Sequence, residues 1–354
     1  MSLFQAASAA DLATLIRDAA HDRTRVHVEG GGAHGGGSDA GDGHRVSLAG
    51  RMRSVVSHDP AELVATVDAG LAVDALDAAL AEHGQEWCAD VLPGSTVGGA
   101  IASGASSLRR FATGPLRDSV LGLELVDGRG RLIRVGGRTV KNSTGLDLVR
   151  LMVGSRGTLG VITRAHLRVR PRPRVRAVVR AADVDLRSAI AAARQAPVLA
   201  AALADGSSVQ FLLEGWRDDV ASTAAMLVER LGGELDGRAE PFPALRPWVS
   251  WPAAVALTVR PSAIEPLVAR SGTRWAALLS SGHLWVGGDA ASDLIPVCRT
   301  AVESGGHATL ISSPGWPTWQ ASAAGDDGAG IGERLKAAVD PDGVFPRLAR
   351  WSPG

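Results

Sequence analysis

Tyrosine does not occur in this chain, and lysine and cysteine occur twice each, as Lys141, Lys336, Cys88 and Cys298. The missing tyrosine excludes a phenolic side chain as acid or base. Two cysteines far apart in sequence suit a reducing compartment and give no disulfide scaffold. With no Cys-x-x-Cys spacing, the chain has no ligand run for an iron–sulfur cluster of its own. Lysine is scarce although lysine and arginine together number 37, and in a chain rich in alanine and glycine this reads as coding bias. Net charge is missing too: 37 acidic residues balance the basic ones. No overall field therefore draws the chain to nucleic acid or an acidic membrane. No apolar run approaches the ~20 residues of a membrane span. The opening MSLFQAASAADLATLIRDAA lacks a basic stretch followed by an apolar one, so no signal peptide is expected and the location expected is cytoplasmic.

What is present is enough for two domains: 354 residues, 45% of them hydrophobic. Ser8 is placed to cap a helix with Leu12, Leu15, Ile16 and Ala19 on one face. RVHVE reads as a strand, followed by short strands near 46–48 and 54–57 and a turn at Asp59-Pro60. LVATVDAG reads as a strand and VDALDAALAEHG as a helix stopped by Gly84. VLGLELV–DGRG–RLIRV reads as a hairpin, and LDLVRLMVG as a short helix. In GVITRAHLRVR, Val161, Thr163, Ala165, Leu167 and Val169 alternate with Arg164, His166, Arg168 and Arg170, the pattern of a half-buried strand. RPRPRVR, 170–176, with two prolines and four arginines, reads as a solvated connector. Beyond it, helical stretches (185–196, 219–231, 292–304) alternate with strands (208–214, 254–260, 275–280, 308–312), and eight of the nine tryptophans follow residue 210. That texture suggests a smaller α+β domain.

Glycine is abundant, at 43 residues, and it is clustered. HVEGGGAHGGG, 27–37, carries six glycines directly after a strand. Gly30 to Gly35 satisfies G-x-G-x-x-G, but GGSDAGDGH follows where a dinucleotide fold needs a helix, so a Rossmann site is not expected. No G-K-[ST] exists, which excludes a P-loop. Two readings remain for the run: a nest of backbone N–H groups around an anion, or a surface loop. A second cluster, Pro93-Gly94-Ser95-Thr96-Val97-Gly98-Gly99-Ala100, and a third, Gly154-Ser155-Arg156-Gly157-Thr158-Leu159-Gly160, favour one long ligand touched at several places.

LPGSTVGGAIASG, RRFATGPLRDSVLGLELVDGRG and KNSTGLDLVRLMVGSRGTLGVIT together resemble the PCMH-type FAD-binding domain of the vanillyl-alcohol-oxidase family. Within that family they are most similar to the FAD-binding E subunits of bacterial glycolate oxidase. The resemblance covers roughly residues 10–175 and returns at GGHATLI and RLKAAVDPDGVF. It implies an α+β fold: a PCMH-type FAD-binding domain of two α/β subdomains over 1–172, a smaller α+β cap over 173–325, and a C-terminal segment, 326–354, packing back on the first domain. It implies that Gly30, Gly31, Gly32, Ala33 and His34 hold the FAD pyrophosphate by main-chain amides. Pro93, Gly94, Ser95, Thr96, Val97, Gly98 and Gly99 would make the second contact, and Gly157, Gly160, Val161 and Ile162 would line the flavin or adenine. Arg109, Arg110, Gly114 and Asp118 match positions close to the cofactor. Relatives with covalent flavin place a histidine directly after the glycine turn. Here Ala33 precedes His34, so non-covalent FAD is expected. The family's terminal N-P-G is replaced by Pro346-Arg347-Leu348.

The resemblance also frames the reaction. The related catalytic subunits and D-lactate dehydrogenases have an H-x-G-D-G-N motif in the second domain, and this chain has none. His283 and His307 stand alone there, and no residue is assigned as catalytic. The expectation is therefore an FAD-binding redox subunit of a glycolate-oxidase-like 2-hydroxy-acid dehydrogenase complex. Its expected partners are a catalytic flavoprotein subunit and an iron–sulfur subunit, through which it would lie peripheral to the inner membrane. The alternative is a stand-alone FAD-dependent oxidase or dehydrogenase.

Overall fold

The structure, a computed structural model, describes residues 3–32, 43–105, 107–137, 147–206, 208–236, 247–272, 274–312, 319–322, 326–347 and 349–350. The chain divides into two compact units. The first comprises Met1–Ser107, Pro115–Arg172 and Asp326–Leu348; the second comprises Leu108–Gly114, Pro173–Gly325 and Ala349–Gly354.

Two sheets and a two-stranded ribbon build the first unit. Strands β1 (Leu3–Gln5), β2 (Arg25–Glu29) and β3 (Gly43–Ser47) form a parallel sheet in the order β1-β3-β2. Strands β4 (Val55–Asp59), β5 (Val64–Asp68), β7 (Val120–Val126), β8 (Leu132–Gly136) and β9 (Val161–Arg168) form an antiparallel sheet in the order β4-β5-β9-β7-β8. The alternation in β9 works as its sequence predicts. Thr163, Ala165 and Leu167 are buried, Arg164 and His166 are half-buried, and Arg168 is exposed. Helix α1 (Ala9–His21) starts where the Ser8 hydroxyl accepts from Asp11 N at 3.1 Å, and it buries Leu12, Ala13, Ile16 and Ala19. Helix α2 (Val73–Ala81) buries Val73, Leu76 and Leu80.

Helix α3 (Val97–Ser103) is not visible in the sequence, because Gly98-Gly99 is a poor helix former. It forms because Thr96 Oγ1 accepts from Gly99 N at 3.1 Å, and because Val97, Ala100 and Ile101 are buried in the core. The C-terminal helix Asp326–Val339 is joined to the same core by Lys336. Its Nζ donates to Asp340 Oδ2 and to Thr158 O, both at 2.5 Å, and to Phe345 O at 3.0 Å.

The proline-rich segment is a connector only in part. The boundary between the units falls inside the segment, after Arg172, and Pro171, Arg172 and Arg174 are exposed. Arg170–Pro171, however, is a strand, β10, paired with β6 (Gln85–Glu86), and Arg170 lies 2.7 Å from Glu86. Val175 then opens β11 (Val175–Ala181). The second unit is a ten-stranded sheet that also contains β12 (Leu199–Asp205), β13 (Ser208–Gly215), β14 (Glu234–Asp236), β15 (Ala253–Thr258), β16 (Trp275–Leu278), β17 (His283–Gly288), β18 (His307–Ser312), β19 (Trp319–Ser322) and β20 (Ala349–Arg350). Their order is β14-β11-β13-β12-β16-β17-β15-β18-β19-β20. Period-two alternation gives this sheet two apolar faces. Val179, Phe211, Leu213, Val255 and Leu257 meet the helices on one face. On the other, Val178, Leu203 and Leu212 join Leu108 and a stacked pair, Trp248 and Trp285, with centroids 3.9 Å apart. No helix among the described residues is long and apolar enough to cross a membrane.

Candidate functional site

The glycine clusters meet inside the first unit around a cavity of about 330 Å³. Each is delivered by the end of a regular element: Gly30–Gly32 leave β2, Gly98 and Gly99 open α3, and Gly157 and Gly160 lead into β9. The turns interlock. A Cβ on Gly31 would lie 1.6 Å from the carbonyl oxygen of Gly94, a contact that no side-chain motion relieves. A Cβ on Gly98 would come 2.8 Å from the methyl of Ala69. Glycine is required at these two positions by close backbone approach. The cavity wall is thus largely main chain, and turns of this composition can offer N–H groups to an anion. Ser95, Thr96 and Ser103 add hydroxyls to the lining, and Ile162, Val28, Leu48 and Ala102 make it apolar elsewhere.

Among the described residues, three charged ones line the cavity: Glu29, Arg45 and Arg156. Glu29 and Arg45 neutralise each other through two hydrogen bonds, Nε to Oε1 at 2.5 Å and Nη2 to Oε2 at 2.7 Å. Arg156 is different. Its backbone is held at φ 52°, with its N–H donating to Ala102 O at 2.7 Å. Its buried Nε has no hydrogen-bond partner, and no acceptor among the described residues pairs with the guanidinium. Burial pulls its pKa below the ordinary arginine value. Sequence reasoning passed over this residue for its glycine neighbours. A long cation between Ser155 and Gly157, inside a glycine-rich turn, is the one signal that the sequence offers.

Of the residues that the resemblance pointed to, Gly30, Gly31, Gly32, Ser95, Thr96, Gly98, Gly99, Gly157, Gly160 and Ile162 line this cavity. Gly94 supports it through the contact with Gly31. Val97 and Val161 are buried in the core. Pro93 is not among the lining residues. Ala33 and His34 lie outside the described residues. Asp118 is exposed, beside Arg117 at 3.7 Å.

Arg109, Arg110 and Gly114 belong to the second unit. There Arg109 pairs with buried Glu214 at 3.2 Å, and Arg176 reaches the same carboxylate at 2.9 Å. Arg110 Nη1 donates to His283 Nε2 at 2.7 Å, and His283 Nδ1 lies 3.1 Å from Ser281 O. Burial first, and the neighbouring Arg110 charge second, lower the His283 pKa to about 4, so the ring is neutral near pH 7. A neutral imidazole fixed at both nitrogens has no free lone pair to take a proton. Among the described residues, no group of three or more His, Cys, Asp or Glu side chains is placed to hold a metal ion.

Comparison with known proteins agrees with this geometry. Residues 2–136 match the FAD binding domain family. Glycolate oxidase subunit GlcE of Escherichia coli is 33% identical over 315 residues, covering 83% of each chain. A D-lactate dehydrogenase of Archaeoglobus fulgidus is 36% identical over 167 residues, which is 46% of this chain and 37% of that longer protein. The fold is similar to that of alkyldihydroxyacetonephosphate synthase, matched at a TM-score of 0.71 with 16% identity over 98% of this chain and 75% of the other. The cradle also fits FAD on its own terms, since close-packed glycine turns, hydroxyls and apolar side chains line one cavity. With one third of its residues shared along most of both chains, this protein belongs to the FAD-dependent oxidoreductase family of glycolate oxidase subunit GlcE.

Proposed function

We propose that this chain is the FAD-binding subunit of a glycolate-oxidase-type 2-hydroxy-acid dehydrogenase complex, and that its cavity holds FAD without a covalent bond. The observation that carries the reading is the interlock of the glycine turns at Gly31 and Gly94, beside Thr96, Gly98 and Gly99. In this reading the N–H groups of Gly30–Gly32 and the hydroxyl of Thr96 bind the diphosphate end. Gly157, Gly160 and Ile162 pack against a ring system. FAD, when bound, supplies two-electron and one-electron redox chemistry. The chain's own work is to bind it, orient it and keep water from it.

A catalytic flavoprotein subunit and an iron–sulfur subunit complete the complex. Support for partners comes from the similarity to a protein named as a subunit, over 83% of its length. The lack of H-x-G-D-G-N and of Cys-x-x-Cys points the same way. So does the histidine chemistry: His283 is buried, held at both nitrogens and neutral. The test is dye reduction by glycolate or D-lactate, run with the purified chain alone and with the reconstituted complex. Turnover by the complex alone supports the subunit reading. Turnover by the isolated chain at a comparable rate replaces it with a stand-alone dehydrogenase.

A further inference from the structure

We infer that Arg156 is the countercharge of the cofactor's diphosphate, so that the cavity selects a flavin dinucleotide over riboflavin by charge as well as by shape. The inference rests on the FAD reading of the cavity and adds to it a residue that the glycine turns do not require.

Two costs coincide at Arg156. Its backbone sits at φ 52°, where a side chain other than glycine or asparagine is strained. Its guanidinium is desolvated with an orphaned Nε and no paired acceptor among the described residues. Arg156 is half-buried, with its Nε shut off from water. A desolvated cation without a partner is destabilising, and it persists where something outside the protein completes it. The position is occupied by arginine although both neighbours in the turn, Ser155 and Gly157, are small.

The cavity identifies the missing partner. Glu29 and Arg45 already neutralise each other, which leaves Arg156 as the unspent charge among the described lining residues. The partner must be an anion. The diphosphate is the anionic part of FAD, whereas the isoalloxazine and adenine rings are neutral. Glycine amides offer partial charges to a phosphate, and a guanidinium adds a full charge and a paired donor geometry. The two kinds of donor are complementary.

The experiment titrates the FAD-free full chain with FAD, ADP and riboflavin by calorimetry, for the wild type, Arg156→Gln and Arg156→Lys. Arg156→Gln is expected to weaken FAD and ADP by about 10- to 100-fold, while riboflavin affinity stays within about twofold. Arg156→Lys, which keeps the charge, recovers most of the loss. FAD affinity of the wild type falls with added salt more steeply than that of the glutamine variant. The ligand-free glutamine variant melts no lower than the wild type, because a cation without a partner has been removed. Arg156→Gly is the second variant, suited to the backbone at φ 52° and equally without charge. Unchanged FAD affinity in Arg156→Gln, or equal losses for FAD and riboflavin, overturns the inference while the FAD site stands. A wild type that binds neither FAD nor ADP overturns both.

Discussion

Glycine and charge do different work at the cavity of the first unit and at two turns and three paired arginines of the second. In the first, Gly31 and Gly98 sit where backbone or a methyl from another segment fills the place of a side chain. In the second, Gly206 and Gly232 lie at turns with φ of 61° and 67° and open space where a Cβ would go. The first kind holds segments close around a cavity. The second kind only reverses the chain. Charge follows the same division: Arg156 in the first unit has no partner among the described residues, whereas Arg109, Arg110 and Arg176 in the second are each hydrogen-bonded to a buried side chain. At the cavity an unpaired guanidinium stands beside blocked glycines, whereas the three arginines of the second unit are spent on Glu214 and His283.

Substitution at the two kinds of glycine should break the comparison most sharply. Gly31→Val is expected to abolish FAD binding, by more than about 100-fold, because its Cβ would require the Gly94 turn to move. Gly206→Ala should leave FAD affinity unchanged and cost about 1 kcal/mol of stability through its positive φ. Calorimetric titration and thermal unfolding read both.

The next effect is on the first unit's fold. Lys336→Met leaves the Asp340 carboxylate buried without its cation, at a cost of about 3 kcal/mol in chemical denaturation. The carboxylate keeps its bonds from Val344 N and Phe345 N, at 2.8 and 3.0 Å, which limits the loss.

A pH effect of up to about 3 kcal/mol belongs to the second unit. His283 has a folded pKa of about 4 against an ordinary 6.5. The unfolded chain therefore takes up a proton that the folded one refuses. The stability from neutral His283 is full above about pH 6.5 and is lost as pH falls towards 4. Melting curves between these limits should flatten in His283→Asn relative to wild type. The smallest effect is expected at Cys298, whose thiol is buried in the helical core and pushed up to about 12. It should resist alkylation in the folded protein, as mass spectrometry would show.

How far the sequence reveals this depends on which force shapes each element. Strands built of β-branched residues, such as RVHVE and the 161–169 alternation, are legible because their periodicity is their burial. LAAALAD is not, since alanine has no preference for a strand, yet six of its seven residues are buried in the middle of the ten-stranded sheet. Helix α3 is hidden for the complementary reason: Gly98 and Gly99 are there for close approach, and a Thr96 cap with core packing overrides their propensity. In the site, the glycines could be read as turns and the resemblance assigned them a ligand. Arg156 could not be read, because its strain and its missing partner exist only in three dimensions.

The central claim, non-covalent FAD in the first unit's cavity, is tested most directly by an absorbance spectrum of the purified chain, repeated on the supernatant after acid precipitation. Bands near ~370 and ~450 nm that move into the supernatant are the predicted result. Colour held in the pellet would contradict the non-covalent bond. A colourless chain that also fails to take up added FAD would contradict the site itself.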